Sequence, residues 1–219
     1  MSRLATVIFD LDGTLLDTLV DIANAANDVL TELGEPTHSY DRYRVMVGDG
    51  VATLFKRALP RCESDENLHR HCIESFERTY LVRWNQHSGP YPGIRELLDW
   101  LSLNQIPMAV LSNKPHAFTV RCVEHLLSDW KFDVVLGASD RFPKKPDPAS
   151  AIYVAQQLGA EPASTVYVGD TNTDMWTANG AGCFAVGVTW GFRTKQELID
   201  TGAKSMIDHP MQLCELFAR

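Results

Sequence analysis

The stretch Val7-Ile8-Phe9-Asp10-Leu11-Asp12-Gly13-Thr14-Leu15-Leu16-Asp17 decides how the rest of the chain is read. Residues 5–9 are largely β-branched and aromatic, the pattern of a buried strand. The run ends in two carboxylates one residue apart, followed by a Gly-Thr turn. Like charges this close repel, and each loses hydration beside a buried strand end. The pair therefore calls for a shared cation or for one protonated acid. Open α/β sheets bind their ligands at the carboxyl ends of parallel strands, so this is the place for a metal-assisted site. Asp-x-Asp-Gly also describes an ordinary turn after a strand, and the remaining chain has to separate the two readings.

Beyond Asp17 the hydrophobic period changes from two to helical. Ile22, Ala26, Val29, Leu30 and Leu33 share one helix face that Gly34 and Pro36 close, with Asp17 or Thr18 as the cap. Further helices are expected over residues 40–47, from Val51 to Ala58, and over a long span carrying Leu68, Cys72, Ile73, Phe76, Tyr80 and Trp84. No strand is expected between Asp17 and His87, and Ser88-Gly89-Pro90-Tyr91-Pro92-Gly93 then punctuates the chain. Residues 16–88 thus read as an inserted all-helical domain, and residues 1–15 with 89–219 as an α/β core.

The core alternates strand and helix. Strands are expected at residues 107–111, 132–136, 165–168 and 184–188, with helices over 94–103, 118–127, 145–158 and from 171 to about 178. The tail shows no clear pattern. Such alternation predicts a doubly wound, Rossmann-like parallel sheet with right-handed crossovers. Its carboxyl edge would gather Asp10 and Asp12, Ser112, Lys145, and Asp170 with Asp174. That set suits phosphoryl transfer. Carboxylates hold a hard cation such as Mg²⁺, a hydroxyl and an ammonium neutralise phosphoryl oxygens, and one acid attacks while another serves the leaving group.

The same residues carry a family resemblance. Asp10-Leu11-Asp12-Gly13-Thr14-Leu15, Ser112-Asn113-Lys114, Lys145-Pro146-Asp147-Pro148 and Gly169-Asp170-Thr171-Asn172-Thr173-Asp174 resemble, in order, the four motifs of the haloacid-dehalogenase-like hydrolases. The resemblance implies that Asp10 is the nucleophile and forms an aspartyl phosphate, and that Asp12 is the proton donor and then the base. It implies that Ser112 and Lys145 hold the phosphoryl group. Mg²⁺ would be bound by Asp10, the backbone carbonyl of Asp12 and Asp170, with Asp174 at the metal's edge or orienting the lysine. The helical insert would be the cap that closes over the site. Asn113, Thr14 and Gly48 are the expected substrate contacts.

Asp12 and Asp170 together argue against dehalogenation, since family members that act on carbon lack this acid and the metal. Val47-Gly48-Asp49-Gly50-Val51, Tyr91-Pro92-Gly93, Ser112-Asn113-Lys114-Pro115 and Thr189-Trp190-Gly191-Phe192 resemble the phosphoglycolate phosphatases, which makes 2-phosphoglycolate the leading substrate. Pyrophosphate, nucleoside monophosphates and sugar phosphates stay open. So do a phosphoglucomutase-like transfer and a non-catalytic binding protein on the same fold. Lys144 competes with Lys145 for the phosphate-binding role. Arg44, Lys56, Arg57 and Arg83 are open as partners for a substrate carboxylate. Cys62, His69, His71 and Cys72 match no regular zinc spacing.

The formal charge of −8, with no basic run beyond a pair such as Lys144-Lys145, excludes a general nucleic-acid binder. Five scattered cysteines without a Cys-x-x-Cys pair point to free thiols in a reducing compartment. With no membrane span or signal peptide expected, the chain reads as cytoplasmic, acting on a small phosphorylated metabolite as a monomer or homodimer.

Overall fold

The computed structural model describes residues 4–217. Strand β1 (Thr6–Phe9) lies at the centre of a six-stranded parallel sheet. Its partners are β4 (Met108–Pro115) and β6 (Thr165–Gly169). Beyond β4 lies β5 (Val134–Ala138); beyond β6 lie β7 (Phe184–Val188) and β8 (Ser205–Ile207). Counted in chain order, the sheet strands run 3-2-1-4-5-6, so the winding reverses between β1 and β6. That reversal opens the crevice in which doubly wound sheets bind ligands, and Asp10 and Asp170 end the two strands that flank it.

The period-two alternation of the strands separates two apolar layers. Val7, Phe9, Val110, Val166 and Val168 face one side; Ile8, Ala109, Leu111 and Tyr167 face the other. The first layer takes α5 (Ile94–Leu103) and α6 (His116–Leu126). The second takes α7 (Ala149–Gln157), α8 (Asn172–Ala181) and α9 (Lys195–Asp200). The last described element is α10 (Cys214–Phe217).

Between β1 and α5 lie four helices: α1 (Leu19–Glu32), α2 (Tyr40–Met46), α3 (Val51–Ala58) and α4 (Glu66–Arg83). Helix α1 turns Ile22, Ala26, Val29 and Leu30 inward, and α4 turns Cys72, Phe76 and Tyr80 inward, as their helical spacing dictates. Their buried side chains run without a break into the first sheet layer. The connections to the sheet are short strands, β2 (Leu16–Asp17) and β3 (Gly89–Pro90), paired antiparallel. Buried Asp21 fastens this joint. Its carboxylate accepts the backbone N–H groups of His87 and Ser88 at 2.9 Å each, and the Ser88 hydroxyl at 2.7 Å.

Several local expectations are corrected. The strand expected at 107–111 runs on through Ser112, Asn113 and Lys114, with its register to β5 shifting between Leu111 and Pro115. These polar residues can stay in a buried strand because each finds an internal partner. Thr18 occupies the N-cap position of α1, but its hydroxyl donates to Asp12. The patternless tail supplies α9, β8 and α10, elements too short to show a period.

Candidate active site

Asp10 continues β1, its N–H donating to the Val168 carbonyl of β6 at 2.9 Å. The chain then turns tightly, with the N–H groups of Thr14, Leu15 and Leu16 all donating to the Leu11 carbonyl. Gly13 makes the turn at φ 87°, and a side chain there would run into the Asp170 carboxylate and the Phe192 ring. The backbone that follows Asp10 therefore packs directly against Asp170.

Asp170, at the end of β6, is fully buried. It accepts the Thr14 hydroxyl at 3.0 Å and the Phe192 N–H at 2.8 Å. Asp174 is equally buried on the first turn of α8. One of its oxygens accepts the Thr171 N–H and hydroxyl, closing a capping box; the other accepts Lys145 Nζ at 2.7 Å. It thus both caps a helix and orients a lysine.

Lys145, and not exposed Lys144, is the lysine that reaches the acids. Its ammonium lies 3.0 Å from Asp10 Oδ1, but off hydrogen-bond direction, so this buried oxygen has no hydrogen-bond partner among the described residues. Asn113 braces the lysine's loop. Its carbonyl oxygen accepts the Lys145 N–H, and its amide donates to the Lys145 and Gly48 carbonyls.

Carboxylate oxygens of Asp10, Asp170 and Asp174 lie within 4.8 Å of one another. Burial, with Asp174 close by, pushes the Asp10 carboxyl up to about 7 and raises Asp170 well above the usual carboxylate range. Lys145 stays charged despite burial because Asp10 and Asp174 outweigh it. Ionised together, the three carboxylates facing one ammonium would leave two negative charges, and one buried Asp10 oxygen has no hydrogen-bond partner among the described residues. That donor set fits a divalent, oxygen-seeking cation.

A cavity of about 60 Å³ opens beside this cluster. Asp10, Asp12, Ser112 and Lys114 line it from the sheet edge, and Gly48, Val51, Leu54, Phe76 and Tyr80 from the helices. Ser112 Oγ accepts the Lys114 N–H at 3.2 Å, which leaves its proton to donate elsewhere. Thr14 does not line the cavity; its hydroxyl serves Asp170. Gly48 lines it through backbone, and Asn113 lines it with its amide already bonded to protein.

Two lining residues had received no individual role from the sequence. Lys114 Nζ is 2.9 and 3.1 Å from the two Asp12 oxygens and 2.8 Å from the Tyr80 hydroxyl. Lys114 is a motif letter, but nothing local shows that it turns toward Asp12. Tyr80 lies on a helical face whose spacing says only that it is buried. The four residues left open as partners for a substrate carboxylate do not line the cavity: Arg44 bonds the Gly191 carbonyl, Arg57 pairs with Asp49, Arg83 pairs with Asp28, and Lys56 is exposed.

Helices and sheet edge also touch through polar contacts. Arg193 donates to the Arg44 and Val47 carbonyls, and the Thr173 hydroxyl donates to Asp49 at 2.7 Å. No helix among the described residues is long and apolar enough to cross a membrane.

Comparison with known proteins places this geometry. The profile described as haloacid dehalogenase-like hydrolase matches residues 7–188. Phosphoglycolate phosphatase of Chromobacterium violaceum is 32% identical, over 99% of this chain and 97% of its own. That of Pseudomonas syringae pv. tomato is 32% identical, over 92% of this chain and 75% of its own. The crystal structure of a predicted phosphoglycolate phosphatase from Haemophilus somnus superposes with a TM-score of 0.87 at 26% identity, covering 99% of both chains. The chain belongs to the haloacid dehalogenase-like hydrolase family and resembles its phosphoglycolate phosphatases.

Proposed function

We propose that this chain is a Mg²⁺-dependent phosphomonoester phosphatase working through an aspartyl phosphate on Asp10, with 2-phosphoglycolate its foremost substrate. The observation that carries the reading is the orphaned, buried Oδ1 of Asp10, set among Asp170, Asp174 and Lys145. A buried carboxylate oxygen with no hydrogen bond is a vacant donor for a cation, and Asp10 itself lines the cavity in which an ester would meet its carboxylate. The named relatives supply the substrate.

Asp10, the Asp12 carbonyl, Asp170 and Asp174 would hold Mg²⁺. When bound, the ion would supply positive charge against the phosphoryl oxygens. In the first step an Asp10 oxygen bonds to phosphorus as the bond to the leaving oxygen breaks, and Asp12, entering protonated, gives that oxygen its proton. In the second, Asp12 takes a proton from water, the water oxygen bonds to phosphorus, and the acyl phosphate bond to Asp10 breaks to release phosphate. The Ser112 hydroxyl and Lys145 ammonium hold the transferring group as its charge spreads. Thr14 acts through Asp170, and Asn113 through the Lys145 loop. Residues 16–88 form the cap, whose apolar wall limits the site to small esters and keeps water out during transfer.

Phosphate release across a panel of small phosphomonoesters, with Mg²⁺ and with chelator, tests the reading. Release that needs Mg²⁺ and is fastest from 2-phosphoglycolate is expected. Release from many esters at equal rates would remove the substrate, and isomerisation without release would replace the hydrolase with a phosphotransferase.

A further inference from the structure

The cavity wall carries charge at very few points. Its helical side is mostly apolar, with Val51, Leu54 and Phe76 offering no side-chain donor. Among its lining residues Lys114 is the sole cation. A substrate that brings a second negative group into this cavity therefore has one cation to meet.

Lys114 does not stand alone. Its ammonium donates to Tyr80 Oη at 2.8 Å, and the ring of the same tyrosine lies beneath it, 4.6 Å from nitrogen to centroid. A phenol that accepts this bond has its own proton left to give. No acceptor for that proton is found among the described residues, although Tyr80 is almost completely buried and lines the cavity. A buried hydroxyl proton without an acceptor is costly to leave unmet, and a ligand oxygen would satisfy it. The ring is fixed by Phe76 stacked on it at 5.3 Å and Phe118 edge-on at 5.2 Å, so the hydroxyl cannot swing away cheaply.

Position supplies the rest. Lys114 is bonded to both oxygens of Asp12, two residues from Asp10. A group that meets Lys114 and Tyr80 while phosphorus faces Asp10 must sit only a few bonds from the phosphoester. We propose that Lys114 and Tyr80 form a subsite for a carboxylate that the substrate carries one carbon from its ester oxygen. The ammonium offers charge and the phenol a directed proton to the same anionic group. Because one residue comes from β4 and the other from α4, the subsite is complete only when the helices rest on the sheet edge as they do here. The inference builds on the phosphatase reading and adds the residues that select the substrate.

The test is calorimetric titration with Mg²⁺ present, using two phosphonates that cannot be hydrolysed. 3-Phosphonopropionate carries the carboxylate, and propylphosphonate has a neutral tail of the same length. Wild type should bind the first about tenfold more tightly or better. Tyr80→Phe keeps the aromatic packing and should cut that preference by about fivefold to tenfold, through weaker binding of 3-phosphonopropionate alone. Lys114→Met should remove the preference, and Lys114→Arg should restore part of it. Equal affinities for the two compounds in wild type would overturn the subsite, as would a preference unchanged in both Tyr80→Phe and Lys114→Met. Phosphate release on the same samples separates the two ideas. Carboxylate preference without turnover of any ester leaves the subsite standing and removes the phosphatase reading. Turnover without carboxylate preference does the reverse.

Discussion

The two walls of the cavity are built on opposite principles. On the sheet edge the polar groups around Asp10 are braced. Asp170 is held by Thr14 and Phe192, Asp174 by Thr171 and Lys145, and Lys145 by a loop tied to Asn113. On the helical wall packing is apolar, and its polar contacts with the sheet side are few: Tyr80 with Lys114, Asp49 with Thr173, Arg44 with the Gly191 carbonyl, the Gly48 carbonyl with Asn113, and the carbonyls of Arg44 and Val47 with Arg193. The first arrangement prepays the cost of holding buried charges in a reactive geometry. The second presents a mostly apolar surface with few polar groups to a small substrate. Charge is thus concentrated on one wall and apolar surface on the other.

Substitutions on the braced wall should have the largest effects. Asp10→Asn removes the attacking oxygen and should lower phosphate release by about 10³-fold or more with the fold intact by circular dichroism. Lys145→Met should cost about 10²-fold or more in kcat, whereas Lys144→Met should stay within about twofold. Loss of turnover in Lys144→Met alone would break the assignment of the sheet-edge lysine.

Next is the response of the metal-free protein to pH. Asp10 and Asp170 are raised above their unfolded values, so the folded state binds more protons than the unfolded chain between those values. Stability without metal should therefore rise as pH falls toward and below about 7, with the gain complete near the unfolded carboxylate range. Thermal melts in chelator should show this slope between pH 8 and 5.5 (values on the order of the raised and unfolded carboxylate range), and Mg²⁺ should flatten it. A slope of the opposite sign would mean that the cluster is already neutralised by protein groups.

The joint between the two walls sharpens the comparison from another side. Hydrogen bonds from His87 and Ser88 outweigh the burial of Asp21 and lower its carboxyl. Its stabilising contribution should be full above the unfolded carboxylate value and disappear as pH falls through the lower folded one. Asp21→Asn should cost about 1–3 kcal/mol at neutral pH in denaturant melts, and the gap to wild type should narrow in acid. The smallest effect belongs to the single contact between buried Thr173 of α8 and Asp49 of the helical wall. Thr173→Val, which removes the bond to Asp49, should change KM by no more than about fivefold and leave kcat nearly constant. A large kcat loss there would show that this wall also carries chemistry.

The same division governs what could be read from the sequence. Motifs at strand ends are local: a strand, a turn and a carboxylate are adjacent letters, so Asp10, Asp12, Asp170 and the parallel core were legible from residues alone. Asp174 was legible as a helix cap and as a site acid, and the geometry shows why both descriptions apply. Lys145 was preferred to Lys144 only for its place directly before Pro146, because the backbone path decides which of two neighbours turns inward. Thr14 and Asn113 sit in the expected motifs, but their bonds go to protein groups far away in sequence. Lys114 with Tyr80 was out of reach for the same reason. Their contact joins residues 34 positions apart across the joint, and a tyrosine on an apolar helix face has no local sign of a polar partner.

The central claim is that Asp10 carries the phosphoryl group. Wild type and Asp10→Asn should be mixed with 2-phosphoglycolate and Mg²⁺, quenched in acid during turnover, and digested for mass spectrometry. The account predicts the peptide containing Asp10 with one added phosphoryl group in wild type and none in the variant. Rapid phosphate release by wild type with that peptide unmodified, or with the phosphoryl group on another residue, would contradict it.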